Sequence, residues 1–457
     1  MSKLSVSLAV AALLTVASGA MAYDELWVAG QVDGVADTVY GTPEYHASGE
    51  WGVARYDAAD GSFLGWWMHP EGAAAGALVD TPTGGGSMPI RISMGPDDNV
   101  YVVAGSGHVH ERIVHRYAQD GTPVPATQFA EDADPNNDTW FAYRSGMYGG
   151  GSAGDLRYVD QPVTFSDTHV YLYADQYNYN GGDYFFENFV LRYNLDGSFA
   201  GTKGDGSARI TEDITAVGGS IHSTASDPSG NFYFAKDRDI YRVGPDGTGD
   251  PNTPWMTVPD ISGRTDVYGM TFDENGHIYT AAPDGSGGHL GEIYRFNVSD
   301  QSAAGRPDDP TNPIWAQDGD SYDVDGDTHA ARLYLGPESV HMGPDGRLYG
   351  ANTKAHQYNP PYSDFWCNGV MWWETTGTED GQMVDQNPPD EDYFYFGNEG
   401  ADEAPIAVPS YGMVFVTTAI PGDTDGDGDV DINDLSTLAS NWDQCGKTWA
   451  DGDFTGD

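Results

Sequence analysis

The chain has 457 residues, and 70 Asp and Glu against 20 Lys and Arg give it a formal charge of −50 at pH 7. Such a surface repels phosphate backbones and anionic lipid, which disfavours nucleic acid and acidic membranes as partners and favours divalent cations. For most of these carboxylates, simple solubility in a salty medium weighs at least as heavily as ion binding.

Residues 1–22 read as a signal peptide. Lys3 gives a basic start, Leu8 to Val16 an apolar run, and Ala20-Met21-Ala22 a small-x-small cleavage site. The run is too short for a membrane helix, and no later stretch approaches the ~20 apolar residues that one needs. The expected product is secreted and extracellular, with no membrane span.

Beyond residue 22, a composition with 60 Gly, 27 Pro and 28 Tyr argues for strands and turns. A turn followed by a strand with an aromatic recurs at Gly95 to Tyr101, Ser166 to Tyr171, Asp227 to Tyr233, Asp273 to Tyr279 and Gly343 to Tyr349, with Trp27 as a sixth copy lacking its turn. A second unit follows each: Arg55-Tyr56, Arg116-Tyr117, Arg192-Tyr193, Arg242-Val243 and Arg295-Phe296, each ahead of an Asp or Asp-Gly turn. Gly369 to Trp373 is a degenerate sixth copy. The spacing is that of propeller blades with insertions, a minimal four-stranded blade taking about 40 to 50 residues. We therefore expect an all-β, six-bladed β-propeller over residues 23–419, with seven blades as the alternative. The first blade lacks a leading strand, while Ile406–Val408 and Met413–Thr418 are surplus strands, so closure by a C-terminal strand is expected.

These repeats, with His222 ahead of Asp227-Pro-Ser-Gly-Asn-Phe-Tyr233, resemble those of the NHL, regucalcin-like and streptogramin-lyase propellers. That resemblance implies architecture; the superfamily spans lactonases, lyases and binding proteins. The residue eleven places before each anchor aromatic opens an innermost strand, giving Ile90, Asp160, His222, Tyr268 and Glu338. Asp160, His222 and Glu338 form a candidate channel site for Ca²⁺, Mg²⁺ or Mn²⁺, resembling the metal centre of lactonase and lyase propellers, with His341 as a substitute ligand. Polar channel residues are also ordinary, because the channel is wet.

Tyr177, Tyr179 and Tyr184, in a Tyr-rich insertion read as a surface loop, are a candidate platform for stacking on sugar rings. The pairs Trp66-Trp67 and Trp372-Trp373 read as packing between blades. Gly150-Gly-Ser152-Ala-Gly154 matches a nucleophile-elbow pattern without the strand and helix it requires, and reads as chance. The acidic stretch Asp318 to Asp327 lacks calcium-loop spacing and reads as a solvated loop. Cys367 and Cys445 are the only cysteines; a disulfide between them is possible in an oxidising compartment but would tie the body to the tail, and two unpaired thiols are the favoured reading.

The densest motif lies near the end, in 420–457. Asp423, Asp425, Asp427, the Asp429 carbonyl, Asp431 and Asp434 occupy positions 1, 3, 5, 7, 9 and 12 of an EF-hand-type loop, with Gly428 in its turn. Asp434 at the last position, followed by Leu435, Leu438 and Trp442 at helical spacing, resembles a type I dockerin repeat. Asp453, Thr455 and Asp457 match the start of a second loop, read as truncated and unable to hold calcium properly. The resemblance implies a small α-helical, Ca²⁺-dependent module docking on a cohesin-like module of an extracellular assembly. Ile432 and Asn433 stand where a Ser/Thr pair is common, a departure that weakens a standard cellulosome role.

Two functions follow. One is a non-catalytic binding or scaffold component, tethered by the calcium module and linked to polysaccharide. The alternative is a metal-dependent lyase or lactonase acting on a polysaccharide or uronate in the channel.

Overall fold

A computed structural model describes residues 25–32, 50–58, 63–68, 88–105, 112–127, 140–142, 155–158, 162–180, 183–204, 206–216, 221, 223–259, 267, 269–282, 292–307, 309–317, 335–344, 346–352, 369–373, 375, 393–395 and 408–416. The expected signal peptide at 1–22, Asp160, His222, both expected calcium loops and both cysteines lie outside the described residues.

All regular structure among the described residues is β. Strands β1 (Glu25–Val32), β2 (Glu50–Asp57) and β3 (Phe63–Met68) open the chain. The next sheet is β4 (Met88–Met94), β5 (Val100–Gly105), β6 (Arg112–Tyr117) and β7 (Trp140–Ala142), in that order. Then come β8 (Asp155–Tyr158), β9 (Thr164–Ser166), β10 (His169–Asn180) and β11 (Asp183–Asn194), with both β8 and β9 paired to β10. A further sheet runs β12 (Ser223–Ser226), β13 (Phe232–Lys236), β14 (Asp239–Val243), β15 (Met256–Thr257). The next runs β16 (Gly269–Phe272), β17 (His277–Ala282), β18 (Glu292–Asn297), β19 (Ile314–Gln317), and after it β20 (Leu335–Met342), β21 (Leu348–Asn352), β22 (Gly369–Trp373), β23 (Tyr393–Tyr395). The last described strand, β24 (Val408–Val416), pairs antiparallel with β1 and completes a sheet ordered β24-β1-β2-β3.

Closure by a C-terminal strand is thus present, with one difference from the sequence reading. The two expected surplus strands are a single strand, whose register on β1 shifts between Ala29 and Gly30, where Gly412 gives way to Pro409. Proline has no N–H for the ladder, and a bulge absorbs it.

Side-chain packing arranges the sheets as a propeller. Trp27, Val53 and Trp67 pack on Ile92, Val102 and Tyr117 of the next sheet. Tyr101 and Phe141 pack on Val170 and Leu172, Tyr171 and Tyr173 on Phe232 and Phe234, and Tyr233 and Ile240 on Phe272 and Tyr294. Tyr279 and Trp315 meet Leu348 and Trp373 in a cluster that also takes in Leu26, Tyr56 and Met413 of the first sheet. Each sheet is covered on both faces, so its central strands are apolar without alternation, as in Phe232-Tyr-Phe-Ala235. Trp66 and Trp67, on opposite strand faces, join different clusters: Trp67 is buried between sheets as expected, while Trp66 is only partly buried against its cluster.

The two sequence units prove to be facing partners of one hairpin: Trp27 lies opposite Arg55, Tyr101 opposite Arg116, Tyr171 opposite Arg192, Tyr233 opposite Arg242 and Tyr279 opposite Arg295. The turn aspartate organises this hairpin. Asp227 accepts from the Ser229 and Asn231 amides at 2.9 and 3.0 Å and from the Tyr233 hydroxyl at 2.9 Å, and Asp273 repeats the arrangement with Asn275, His277 and Tyr279. Three of these arginines staple neighbouring sheets, whereas Arg55 pairs with Glu25 of its own hairpin. Arg116 donates to Val124 O at 2.7 Å, to Pro125 O at 2.9 Å and to Leu195 O just past β11. Arg192 likewise bonds Ala200 O and, past β14, Pro245 O; Arg295 bonds Gly305 O and, past β22, Thr375 O. Gly197 (φ +85°) and Gly247 (φ +82°) supply left-handed turn positions where a Cβ would strike Ala126 and Ile210 O.

Candidate functional site

The two ends of the sheets differ. At one end lie the compact aspartate turns between first and second strands, such as 95–99, 227–231 and 273–276, together with tight Asp-Gly turns after the third strands. At the other end the connections 33–49, 69–87, 283–291, 318–334 and 353–368 leave the sheets. Binding residues concentrate on such connections when a rigid scaffold carries them.

From that second end projects the hairpin β10–β11. Its strands have 12 residues each, against 5 in β13 and β14 and 8 in β1 and β2. Tyr171 and Tyr173 pack on Phe232 and Phe234 of β13, and β13 ends at Lys236. The remaining five residue pairs, from Gln176↔Glu187 to Asn180↔Asp183, run on past β13 by about 15–17 Å at ~3.4 Å per residue. The base of this arm is braced on both edges. Asp155–Tyr158 pairs with Ala174–Tyr177 on one side. On the other, Ile210 N bonds Val190 O at 3.0 Å, Ile214 N bonds Asn188 O at 2.9 Å, and Asp213 accepts from Asn188 N at 2.9 Å.

This arm carries Tyr177, Tyr179 and Tyr184, and it corrects the sequence reading: these residues stand in a paired hairpin and not in a loop. The register sets Tyr179 opposite Tyr184 and Tyr177 opposite Phe186. Residues directly opposite share a sheet face, as do i and i+2, so all four positions lie on one face of the arm. Phe186 was missed as a member of the set. The signal for it was in the sequence, because Asn180-Gly181-Gly182-Asp183 is a two-residue hairpin turn between alternating strands.

Of the expected channel trio, Glu338 falls within β20 and only its strand position is described. With Asp160 and His222 outside the described residues, their convergence with it has no description. Among the described residues, no group of three or more His, Cys, Asp and Glu is placed to hold a metal ion.

The described part of the inner ring is mostly small or hydroxylic. The first-strand residues facing the anchor aromatics are Val414, Ser93, Thr164, Ala225, Thr271 and His341. Several hydroxyls link consecutive sheets: Ser226 Oγ donates to Thr164 Oγ1 at 2.7 Å, Thr224 Oγ1 donates to Pro162 O at 3.1 Å, and Thr271 Oγ1 accepts from Met342 N at 3.2 Å. His341 differs. Burial first, and then the nearby Arg91 guanidinium, push its pKa down to about 4, and its Nε2 is buried with no hydrogen-bond partner among the described residues. A cationic neighbour opposes a dication, so His341 is poorly suited to the substitute metal-ligand role.

No protein-family model and no curated protein matches the chain. Among solved structures it is similar to a protein of unknown function from Bacteroides caccae, at 9% identity and TM-score 0.42, spanning 85% of this chain and 97% of that one. It is also similar to hydrazine synthase from Kuenenia stuttgartiensis, at 11% identity and TM-score 0.39 over 86% and 48% of the two chains. Regucalcin, a calcium-binding protein from Agrobacterium tumefaciens, matches at 13% identity and TM-score 0.29 over 50% and 61%. Likeness at these scores carries no functional argument, and the propeller arrangement stands on the sheets and their packing.

Proposed function

We propose that the chain is an exported, non-catalytic, glycan-binding propeller of six blades, held in an extracellular assembly by a calcium-ordered C-terminal module. The observation that carries the binding reading is the hairpin register that sets Tyr177, Tyr179, Tyr184 and Phe186 on one face of an arm beyond the neighbouring sheet. Flat aromatic faces are suited to the apolar faces of pyranose rings, and a braced hairpin presents them at low entropic cost. Six four-stranded sheets and their cyclic packing support the blade number. The acidic loop at Asp423, Asp425, Asp427, Asp429, Asp431 and Asp434 supports a Ca²⁺ tether with a cohesin-like partner.

The test is affinity electrophoresis of the full chain against a panel of soluble polysaccharides, with calcium and with EGTA. Retardation by at least one polysaccharide is expected, and Tyr177→Ala with Tyr179→Ala should abolish it, since stacking contributes about 1–3 kcal/mol per ring by analogy with aromatic stacking platforms. EGTA should leave the retardation intact while changing the helical circular dichroism contributed by 420–457. Retardation unaffected by the tyrosine changes would refute the arm as the binding surface.

A further inference from the structure

We propose that Asn188, at the foot of the β10–β11 arm, is a specificity residue of the glycan surface, its side-chain oxygen accepting a hydrogen bond from a sugar hydroxyl; this rests on the arm being that surface. In the hairpin register Asn188 stands opposite Asp175, with Val190 opposite Tyr173 on its inner side and Phe186 opposite Tyr177 on its outer side. Alternation puts these six positions on one sheet face. Inward, that face is core: Tyr171, Tyr173 and Val190 cluster with Phe232 and Phe234, and the Tyr173 and Phe234 ring centroids are 5.3 Å apart. Outward, it is the face of Tyr177, Tyr179, Tyr184 and Phe186. Asn188 holds the boundary, with the Phe186 position ~7 Å along the strand and the Tyr177 position ~7–8 Å away on the diagonal.

The amide of Asn188 is held on one side. Asn188 N donates to Asp213 Oδ1 at 2.9 Å, Ile214 N donates to Asn188 O at 2.9 Å, and Asn188 Nδ2 donates to Ile214 O at 3.4 Å. Turning the amide over would set its oxygen against the Ile214 carbonyl, acceptor to acceptor, so the NH₂ group faces the brace and Oδ1 faces away from it. Asn188 is 2% exposed, and its Oδ1 has no hydrogen-bond partner among the described residues. A buried acceptor of that kind costs stability and marks the place of a missing donor. Folding has already withdrawn this oxygen from water, so a bond from a ligand is gained there without further loss of solvation at that atom. Rotamer changes of the kind common at binding surfaces admit the donor. Stacking on the aromatic positions does not distinguish a hydroxyl from its ether. The amide oxygen does, because it accepts from an O–H and has nothing to gain from an ether oxygen in the same place.

Affinity electrophoresis of the full chain against β-glucan, galactomannan and xyloglucan, each native and O-methylated, tests this, because methylation removes O–H donors and keeps the backbone. At least one native polymer should bind about tenfold more tightly than its methylated form, the size of one hydrogen bond. Asn188→Leu should weaken binding of that native polymer about tenfold and leave binding of the methylated one unchanged. A merely structural role of Asn188 in bracing the arm would instead weaken both alike, and that result, or native binding unchanged in the variant, would overturn the proposal. Should Asn188→Leu fail to fold, the wild-type chain decides by itself: a preference for the native polymer supports the proposal, and equal retardation by the two forms overturns it. Combined Tyr177→Ala and Tyr179→Ala separates this from the broader reading. If the tyrosine changes abolish retardation while Asn188→Leu alters nothing, the arm stands as the glycan surface and Asn188 falls. If no native polymer retards the chain, or retardation survives the tyrosine changes, both fall together.

Discussion

Replacing Arg116 by Met tests whether the arginines that reach past their own sheet hold neighbouring sheets together. Arg116 is 5% exposed and donates from Nε to Val124 O at 2.7 Å, from Nη2 to Pro125 O at 2.9 Å and from Nη1 to Leu195 O in the following sheet. Its guanidinium also lies 5.1 Å from the Phe141 ring centroid and 3.6 Å from Asp97. Each hydrogen bond from a charged donor contributes about 1.5–3 kcal/mol net, but burying the guanidinium costs several kcal/mol, which methionine avoids. The three acceptors that lose their donor set the balance, and we expect Arg116→Met to destabilise by about 3–4 kcal/mol. Arg116→Lys keeps the charge without the planar fork, and one ammonium cannot serve three carbonyls in that geometry, so about half of the loss should persist. Urea titration with tryptophan fluorescence gives the difference from the shift in midpoint, provided the slope is unchanged. A loss below about 0.5 kcal/mol in the methionine variant, or a lysine variant equal to the wild type, would refute the staple, because packing of the aliphatic stem would then account for the residue's burial.

Two further changes probe the same hairpins and the interior. Tyr233→Phe removes the 2.9 Å bond from the hydroxyl to Asp227 while that carboxylate keeps the Ser229 and Asn231 donors, so a loss of about 1–2 kcal/mol by urea titration is expected; no loss would mean that the turn is organised without the anchor hydroxyl. His115 is held by burial down to about 3 from 6.5. The folded form therefore binds fewer protons than the unfolded chain between those values, and the contribution is whole above about 6.5 and lost as pH falls toward 3, at about 1.4 kcal/mol per unit. Between pH 7 and pH 5, His115→Leu should therefore lose about 2 kcal/mol less than the wild type, and parallel profiles would contradict this.

What the sequence disclosed follows from what repeats. The anchor aromatics and arginines recur because each sheet solves the same problem, and their alternation with Asp-Gly turns was enough to locate the strands. The arginine role was not legible, because its acceptors are main-chain carbonyls such as Leu195 O and Pro245 O, which no residue type marks. The arm was misread as a loop because Asn178, Asn180, Gly181 and Gly182 have the composition of one, although the two-glycine turn between Tyr-x-Tyr and Tyr-x-Phe is a hairpin signal.

That last point bears on where function resides in such a molecule. The repeated residues are consumed by structure: Asp227 and Asp273 by their turns, Tyr233 and Tyr279 by those aspartates, Arg116 and Arg295 by the next sheet. A ligand site therefore has to come from positions where one sheet departs from the others. Among the described residues the clearest departure is the arm, in which β10 and β11 outgrow their counterparts. Its register gathers Tyr177, Tyr179, Tyr184 and Phe186 on one face, positions that no other sheet repeats, and that is why the glycan-binding proposal rests on the arm and not on the repeat.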